Sequence, residues 1–209
     1  MAEPLWDLEA AAWEQGYRRV CGCDEAGAGP LAGPVYAAAV ILPRGLTLPW
    51  LNDSKKVTAR RRDILFDQII EQAAAWAAAS VPPEEVDALD ILNARMKAMQ
   101  KAIDALDPPA DFALIDGNRD HGSRCAVTTP HQTAVGGDGR SASIAAASIL
   151  AKVSRDRYML ELAERYPQYQ FDRHKGYGTK LHYAMLDRYG PSPVHRRSFL
   201  KKWEAGRGG

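Results

Sequence analysis

The stretch RRVCGCDEAGAGPLAGPVYAAAVIL, residues 18–42, decides the fold. It predicts one strand over residues 18–24 and a second over residues 35–42, the latter apolar enough to be buried on both faces. The segment EAGAGPLAGP between them has the glycines and prolines of a turn. Two strands joined in this way favour an antiparallel pair.

The rest of the chain alternates helices and strands. Thr58 is a plausible N-cap for a helix over residues 59–72, and Pro82 ends a strand over residues 74–81. One helix is predicted from residue 83 to about residue 106, then a buried strand at 112–116 and a weaker strand within 124–135. A long apolar helix over residues 143–166 and a helix at 180–188 follow. This order predicts a mixed α/β sheet with helices packed on it.

Composition indicates an ordinary globular protein. The chain has 209 residues, 46% hydrophobic and 25% charged, with a net charge of +1. Neither a membrane span nor a signal peptide is recognisable, so we expect a cytoplasmic protein. The three cysteines suit a buried core better than a disulfide framework. Residues 171–209 hold nine Lys/Arg and three Asp/Glu. This segment is either a solvated basic tail or a surface that follows a phosphate backbone.

Acidic side chains occupy strand ends and loops beside the predicted buried elements. Asp24 and Glu25 end the first strand, Asp116 ends the strand FALID, and Asp138 precedes the long helix. Each alone could be a solvated strand end, a turn residue or a helix cap. Neighbours on a regular strand point to opposite faces, so Asp24 and Glu25 could share one metal only if the backbone departs from regular geometry there.

Together these four carboxylates predict a site for hard cations such as Mg²⁺ or Mn²⁺. Two such ions about 4 Å apart serve phosphodiester hydrolysis, with basic groups around Lys55 holding the phosphates. A rival pattern, the glycines at 27, 29 and 33, faintly resembles a dinucleotide fingerprint. Pro30 and Pro34 argue against that interpretation, because the fingerprint requires a helix directly after its glycines.

Five segments closely resemble the bacterial ribonuclease HII family, the type 2 ribonucleases H. They are DEAGAGPLAGPV, LNDSKKV, LIDGN, GDGRS with SIAAASILAKVSRDRYM, and HKGYGT with HRRSF. The resemblance runs from about residue 18 to residue 199. It implies a ribonuclease-H-like mixed five-stranded sheet flanked by helices, with a C-terminal helical extension. The implied division is an N-terminal extension (1–17), a catalytic domain (18–170) and a basic substrate-binding part (171–209).

The resemblance also implies the activity and the site. The family cuts the RNA strand of RNA–DNA hybrids and at ribonucleotides embedded in duplex DNA, leaving a 3′-hydroxyl and a 5′-phosphate, with Mg²⁺ or Mn²⁺. We expect a monomer that binds these nucleic acids. The family's metal carboxylates match Asp24, Glu25, Asp116 and Asp138. Its substrate-binding positions match Gly27, Ala28, Gly29, Ser54, Lys55, His174, Lys175 and Tyr177, the last stacking on a sugar.

One position departs from the family pattern. The family motif Gly-Arg-Gly is Gly27-Ala28-Gly29 here, so a charge and a forked donor are absent, through engineering or natural variation. A lost hydrogen bond to a charged group is worth about 1.5–3 kcal/mol, which predicts roughly tenfold to hundredfold weaker binding or positioning unless a neighbour substitutes. The alternatives are a hybrid-binding protein with little turnover and a ribonuclease without hybrid preference.

Overall fold

The computed structural model describes residues 5–52 and 54–206. Its centre is one mixed five-stranded sheet with the strand order β3-β2-β1-β4-β5. The first three strands pair antiparallel, whereas β1 with β4 and β4 with β5 pair parallel. The strands are β1 Val20–Ala26, β2 Val35–Ile41, β3 Ala75–Val81, β4 Phe112–Asp116 and β5 His131–Ala134.

Helices cover both faces of this sheet. They are α1 Asp7–Glu14, α2 Ala59–Gln72, α3 Pro83–Leu89, α4 Ile91–Asp104, α5 Ala142–Arg165, α6 Phe171–His174, α7 Lys180–Tyr189 and α8 Arg197–Ala205. Short 3-10 turns stand at Gly137–Gly139 and Pro167–Tyr169. None of the helices within residues 5–52 and 54–206 is long and apolar enough to cross a membrane.

The alternation of side chains along the strands separates two cores. Cys21 and Cys23 on β1 point to the face covered by α4, whereas Ala38 and Val40 on β2 point to the face covered by α2 and α5. Gly22 permits the close approach of α5, because a Cβ there would overlap the backbone at the start of that helix. The long apolar helix therefore lies directly against the central strand, as its composition predicts.

Most predicted elements are confirmed. The first two strands form an antiparallel pair, and the helix over residues 59–72 begins at Thr58, whose hydroxyl accepts a hydrogen bond from the Arg61 amide. The mixed α/β fold class is also confirmed. The single helix predicted from residue 83 to 106 is wrong. Asp90 adopts a positive φ of 74°, which ends α3, and its carboxylate caps the amide of Asn93 at the start of α4.

The two ends of the chain pack on this core. In the N-terminal extension, Glu9 of α1 is fully buried and accepts hydrogen bonds from Ser141 and Ser143 at the start of α5. At the C-terminal side, α6 to α8 form a further apolar cluster with α5. The helices α6 and α8 were not predicted from the sequence. Residues 1–4, 53 and 207–209 of the predicted parts lie outside the described residues.

Candidate active site

Two aspartates lie side by side where adjacent parallel strands end. Cys23 of β1 stands opposite Ile115 of β4, and the next residues are Asp24 and Asp116. Asp24 lies two residues after Gly22, and Asp116 lies two residues after Leu114. Since every second residue of a strand points to the same face, both aspartates belong to the face covered by α5. The parallel pairing of two distant segments thus brings together two acids that are 92 positions apart in the sequence.

Glu25 belongs to the opposite face. Strand β1 stays paired with β2 as far as Ala26, so the expected departure from regular strand geometry does not occur. The side chain of Glu25 is directed to the α4 side, where one oxygen lies 2.7 Å from Nη2 of Arg95. In this conformation regular alternation directs the two side chains to opposite faces of β1, and Glu25 is paired with Arg95.

Burial and the mutual repulsion of Asp24, Glu25 and Asp116 shift the pKa values of Asp24 and Glu25. Burial raises the pKa of Asp24 well above its usual range, and repulsion from Glu25 and Asp116 adds to the effect. Burial also raises the pKa of Glu25, but the guanidinium of Arg95 opposes the shift. A half-buried aspartate between two other carboxylates is stabilised by any cation that reaches it.

Asp138 lies in the 3-10 turn that precedes α5. The amide of the preceding residue, Gly137, donates to Oδ1 of Asp116 over 2.9 Å, so this turn is bound to the end of β4. The structure therefore places the fourth predicted carboxylate in a segment that contacts the third.

The donor set fits a hard divalent cation in its chemistry. All four predicted ligands offer carboxylate oxygens, the donors that Mg²⁺ and Mn²⁺ prefer. In the described part of the chain, however, no three His, Cys, Asp or Glu side chains are already grouped as metal ligands. The pairing of Glu25 with Arg95 explains much of this, since it holds one of the acids away from the others.

A cleft of about 220 Å³ opens beside Asp24. It brings together eight of the predicted site residues, from three separate parts of the sequence. The lining consists of residues 24–29, Ser54, Lys55, Ser148, Lys152 and Tyr177. Ser148 and Lys152 were not predicted, although polar residues four positions apart in an apolar helix are a signal that could have found them.

The segment that carries Lys55 is held in place by its backbone. The amide of Ser54 donates to Oγ of Ser148 over 3.1 Å, and its carbonyl accepts from Arg62 over 2.8 Å. Lys55 itself is exposed, and its positive charge partly opposes the rise in the pKa of Asp24. The cleft is therefore lined by a cation, Lys55, as well as by the glycine loop.

His174 is not available to a phosphate. It is buried, with Nε2 donating to the Tyr169 carbonyl over 2.8 Å and Nδ1 accepting from the Gly176 amide over 3.2 Å. The prediction that it holds a phosphate is corrected, because both ring nitrogens are used by the backbone. Lys175 is half-buried and lines a neighbouring cavity with Arg62 and Arg157, whereas Tyr177 is 44% exposed at the cleft.

A mixed sheet with acids at the ends of its central strands and cations around the cleft defines a metal-dependent nuclease of the ribonuclease-H-like class. The sequence model of ribonuclease HII matches residues 21–202, and the chain belongs to the ribonuclease HII family. This family consists of metal-dependent nucleases.

Relatives and solved structures agree with this assignment. The ribonuclease HII of Dechloromonas aromatica is 56% identical over 181 residues, covering 86% of this chain and 90% of the relative. That of Caldicellulosiruptor saccharolyticus is 45% identical over 199 residues, 95% of each chain. The crystal structure of ribonuclease H2 from Pyrococcus horikoshii OT3 matches with a TM-score of 0.74 at 23% identity, covering 92% of this chain and 100% of that one.

Proposed function

We propose that the chain hydrolyses the RNA strand of RNA–DNA hybrids and cuts at ribonucleotides embedded in duplex DNA, leaving a 3′-hydroxyl and a 5′-phosphate. One observation carries the proposal. The end of β1 presents Asp24 at a cleft that also holds the Gly27-Ala28-Gly29 loop, Lys55 and Tyr177, and Asp116 ends the neighbouring parallel strand β4. The cleft thus combines acids for metal ions with groups suited to a sugar and its phosphate.

The four carboxylates Asp24, Glu25, Asp116 and Asp138 would hold Mg²⁺ or Mn²⁺. Such ions supply an activated water and stabilise the leaving oxygen. Asp24 and Asp116 offer oxygens on one face, Asp138 follows in a segment bound to Asp116, and Glu25 becomes available when it leaves Arg95. Burial raises the pKa of Asp24, and repulsion from Glu25 and Asp116 raises it further. A cation between these acids would offset both effects.

The substrate is held from both sides of the cleft. Gly27, Ala28 and Gly29 offer backbone groups to a ribose 2′-hydroxyl, the feature that distinguishes RNA from DNA. Tyr177 offers an exposed ring to the neighbouring sugar, and Lys55 offers its ammonium group to a phosphate. Lys152 lines the same cleft and is paired with Asp156 at 2.7 Å, so it would offer another cation to the backbone of the nucleic acid.

Three further expectations remain part of the proposal. The protein acts as a monomer in the cytoplasm, and residues 171–209 form a basic part that follows the duplex beyond the cleft. Arg196 is an exception within that part, because it is fully buried and contributes nothing to an exposed basic surface. The boundaries at residues 17 and 170 remain predictions.

Substrate choice tests the proposal. Duplex DNA with one ribonucleotide, an RNA–DNA hybrid, single-stranded RNA and all-DNA duplex are incubated with the protein and Mn²⁺ or Mg²⁺. Cleavage of the first two, with 3′-hydroxyl and 5′-phosphate ends and none in EDTA, is expected. Equal cleavage of single-stranded RNA would indicate a ribonuclease without hybrid preference, and tight binding without products would indicate a hybrid-binding protein.

A further inference from the structure

Two buried arginines lie behind the glycine loop of the cleft. Arg155 of α5 is 1% exposed and Arg196, just before α8, is 0% exposed. Among residues 5–52 and 54–206 neither makes an ion pair within 4.0 Å. Burying an unpaired guanidinium is costly, so its placement requires hydrogen bonds that replace water.

Backbone carbonyls supply those hydrogen bonds. Arg196 donates from Nη2 to Gly27 over 2.7 Å, from Nη1 to Ala28 over 3.1 Å and from Nε to Gly33 over 2.9 Å. Arg155 donates to the carbonyls of Pro34, Ala32 and Lys175 over 3.1, 3.2 and 3.1 Å. Five of these six acceptors lie between residues 27 and 34, so the two arginines bind the whole loop from behind.

The direction of the loop amides follows from planar geometry. In a trans peptide the C=O and the next N–H point in opposite directions, and the peptides of this loop are trans. Because the carbonyls of Gly27 and Ala28 point to buried Arg196, the N–H groups of Ala28 and Gly29 point away from it. Residues 27–29 line the cleft, so these two donors are directed to the cleft side.

The positive charge of Arg155 and Arg196 also favours the binding of an anion at the loop amides. Two guanidinium groups with no carboxylate of the described residues within ion-pair distance place two positive charges directly behind the loop. Successive backbone amides form a concavity that binds anions. Burial lowers the pKa of Arg196 to about 9, which leaves it protonated at pH 7. Gly27 is required here, because a Cβ would overlap the side chain of Arg155 and its φ is +90°.

We propose that Arg196, supported by Arg155, is a positioning residue that directs the Ala28 and Gly29 amides to the substrate and supplies the fixed charge that position 28 lacks. The loop then binds a ribose hydroxyl and its phosphate without a cationic side chain of its own. This inference rests on the proposed function, since it concerns how the same cleft selects a ribonucleotide.

Binding of matched duplexes tests the inference. In an Asp116→Asn background that slows cleavage, Kd is measured for a duplex with one ribonucleotide and for the all-DNA duplex of the same sequence. Arg196→Lys keeps the charge but loses the fork, so the ratio of the two Kd values should fall about tenfold. Arg18→Lys is the matched control, because Arg18 is exposed just before β1, at the end of that strand away from Asp24, and it should leave the ratio unchanged.

A second measurement needs no change at Arg196. In the same Asp116→Asn background, hydrogen exchange of the Ala28 and Gly29 amides should slow more on addition of the ribonucleotide duplex than of the DNA duplex. If Arg196→Lys does not fold, this result decides. Equal protection by both duplexes, or an Arg196→Lys variant with the parent's Kd ratio, would overturn the inference alone. An Asp116→Asn parent without any ribonucleotide preference would remove the proposed selection as well.

Discussion

At the scale of single residues, the pairing of Glu25 with Arg95 is the least expected feature of the site. Arg95 lies on α4, 70 positions from Glu25, and its buried Nε has no hydrogen-bond partner among the described residues. A guanidinium in this place acts as the counter-charge of a half-buried acid. It also competes with any metal ion for the same carboxylate.

Removing this arginine should change metal binding. In Arg95→Met the charge near Glu25 falls by one unit, so Mn²⁺ should bind at least about tenfold tighter, whereas stability in EDTA should decrease. Arg95→Lys is the matched control and should stay close to the parent. Calorimetric titration with Mn²⁺ and melting in EDTA measure both effects. An unchanged Mn²⁺ affinity in Arg95→Met would show that the pair does not oppose the metal.

Sequence reasoning at this scale found acids but not their partners. Asp24 and Asp116 are recognisable because acids at the ends of apolar strands are costly unless they have a role. Arg95, Arg155 and Arg196 were missed because their contacts join positions far apart in the sequence. Regular pairing of β1 through Ala26, which separates Asp24 from Glu25, was likewise not predictable from the glycines that follow.

At the scale of elements, α1 fixes the start of α5. Oε1 of Glu9 accepts from the hydroxyl of Ser141 over 2.7 Å and from the amide of Ser143 over 2.9 Å, while Ser141 caps the Ile144 amide. The carboxylate thus binds the N-terminus of a long helix, where negative charge is favourable. Asp138 lies only three residues before Ser141, so α1 also supports the segment that carries it.

Replacing Glu9 should therefore affect both stability and cleavage. Glu9→Ala leaves the Ser143 amide without its acceptor, at a cost of about 1–3 kcal/mol, and loosens the Asp138 segment. Glu9→Gln keeps an acceptor oxygen and is the matched control. Urea unfolding and cleavage rate measure the two effects. If Glu9→Ala were as stable and as active as Glu9→Gln, the contact of Glu9 with the start of α5 would have no role in stability or cleavage.

The C-terminal part contains a cluster of three neutral histidines, His174, His182 and His195, next to the backbone of Tyr177. His182 donates from Nδ1 to the Tyr177 carbonyl, and His195 donates from Nε2 to Nε2 of His182 over 3.0 Å. His195 Nδ1 accepts from the Ser192 amide. Burial lowers the pKa of His174, that of His182 to about 4 and that of His195 to about 3. The nearby charges are Asp172 and Lys175 beside His174, and Arg197 beside His195.

Acid should weaken this part of the fold. The depressed pKa values mean that stability is complete above the ordinary histidine pKa of 6.5 and is lost as pH falls towards 4 and then 3. Each unit of difference corresponds to about 1.4 kcal/mol, so a loss of about 3 kcal/mol between pH 7 and 4 is expected for each of His182 and His195, about 6 kcal/mol for the two together.

The matching measurement is urea unfolding at several pH values between 7 and 4. His195→Gln removes one of the titrating groups, so its unfolding free energy should fall less steeply with acid than that of the parent. Identical slopes for His195→Gln and the parent would refute the assignment.

Element boundaries were predictable where local signals act alone. Thr58 begins α2 and Pro82 follows β3, because capping and the missing amide of proline are local effects. The break at Asp90 was not predicted, since a positive φ in an aspartate depends on how α3 and α4 pack. The segment of α8 was interpreted only as a basic end of the chain. Its apolar residues form a helix face only when they pack in the cluster with α5, and that packing is not visible in the sequence.

At the scale of the whole molecule, the fold brings five distant segments to one end of the sheet. Parallel pairing of β1 with β4 places Asp24 beside Asp116, and α5 passes under both with Ser148 and Lys152 at the cleft. The C-terminal segment then closes over the glycine loop through Arg196 and Tyr177. The mixed sheet was predictable from the order of the elements. The hydrogen bonds between Arg196 of the C-terminal part and the glycine loop were not.

Cleavage of duplex DNA with one embedded ribonucleotide, compared between the parent and Asp24→Asn in Mn²⁺, tests the central claim most directly. The exchange keeps the shape of the side chain and removes the charge that we propose holds a metal ion. The account predicts a single cut at the ribonucleotide by the parent and a rate lower by at least about a thousandfold in the folded variant. An Asp24→Asn protein that cuts as fast as the parent would contradict it.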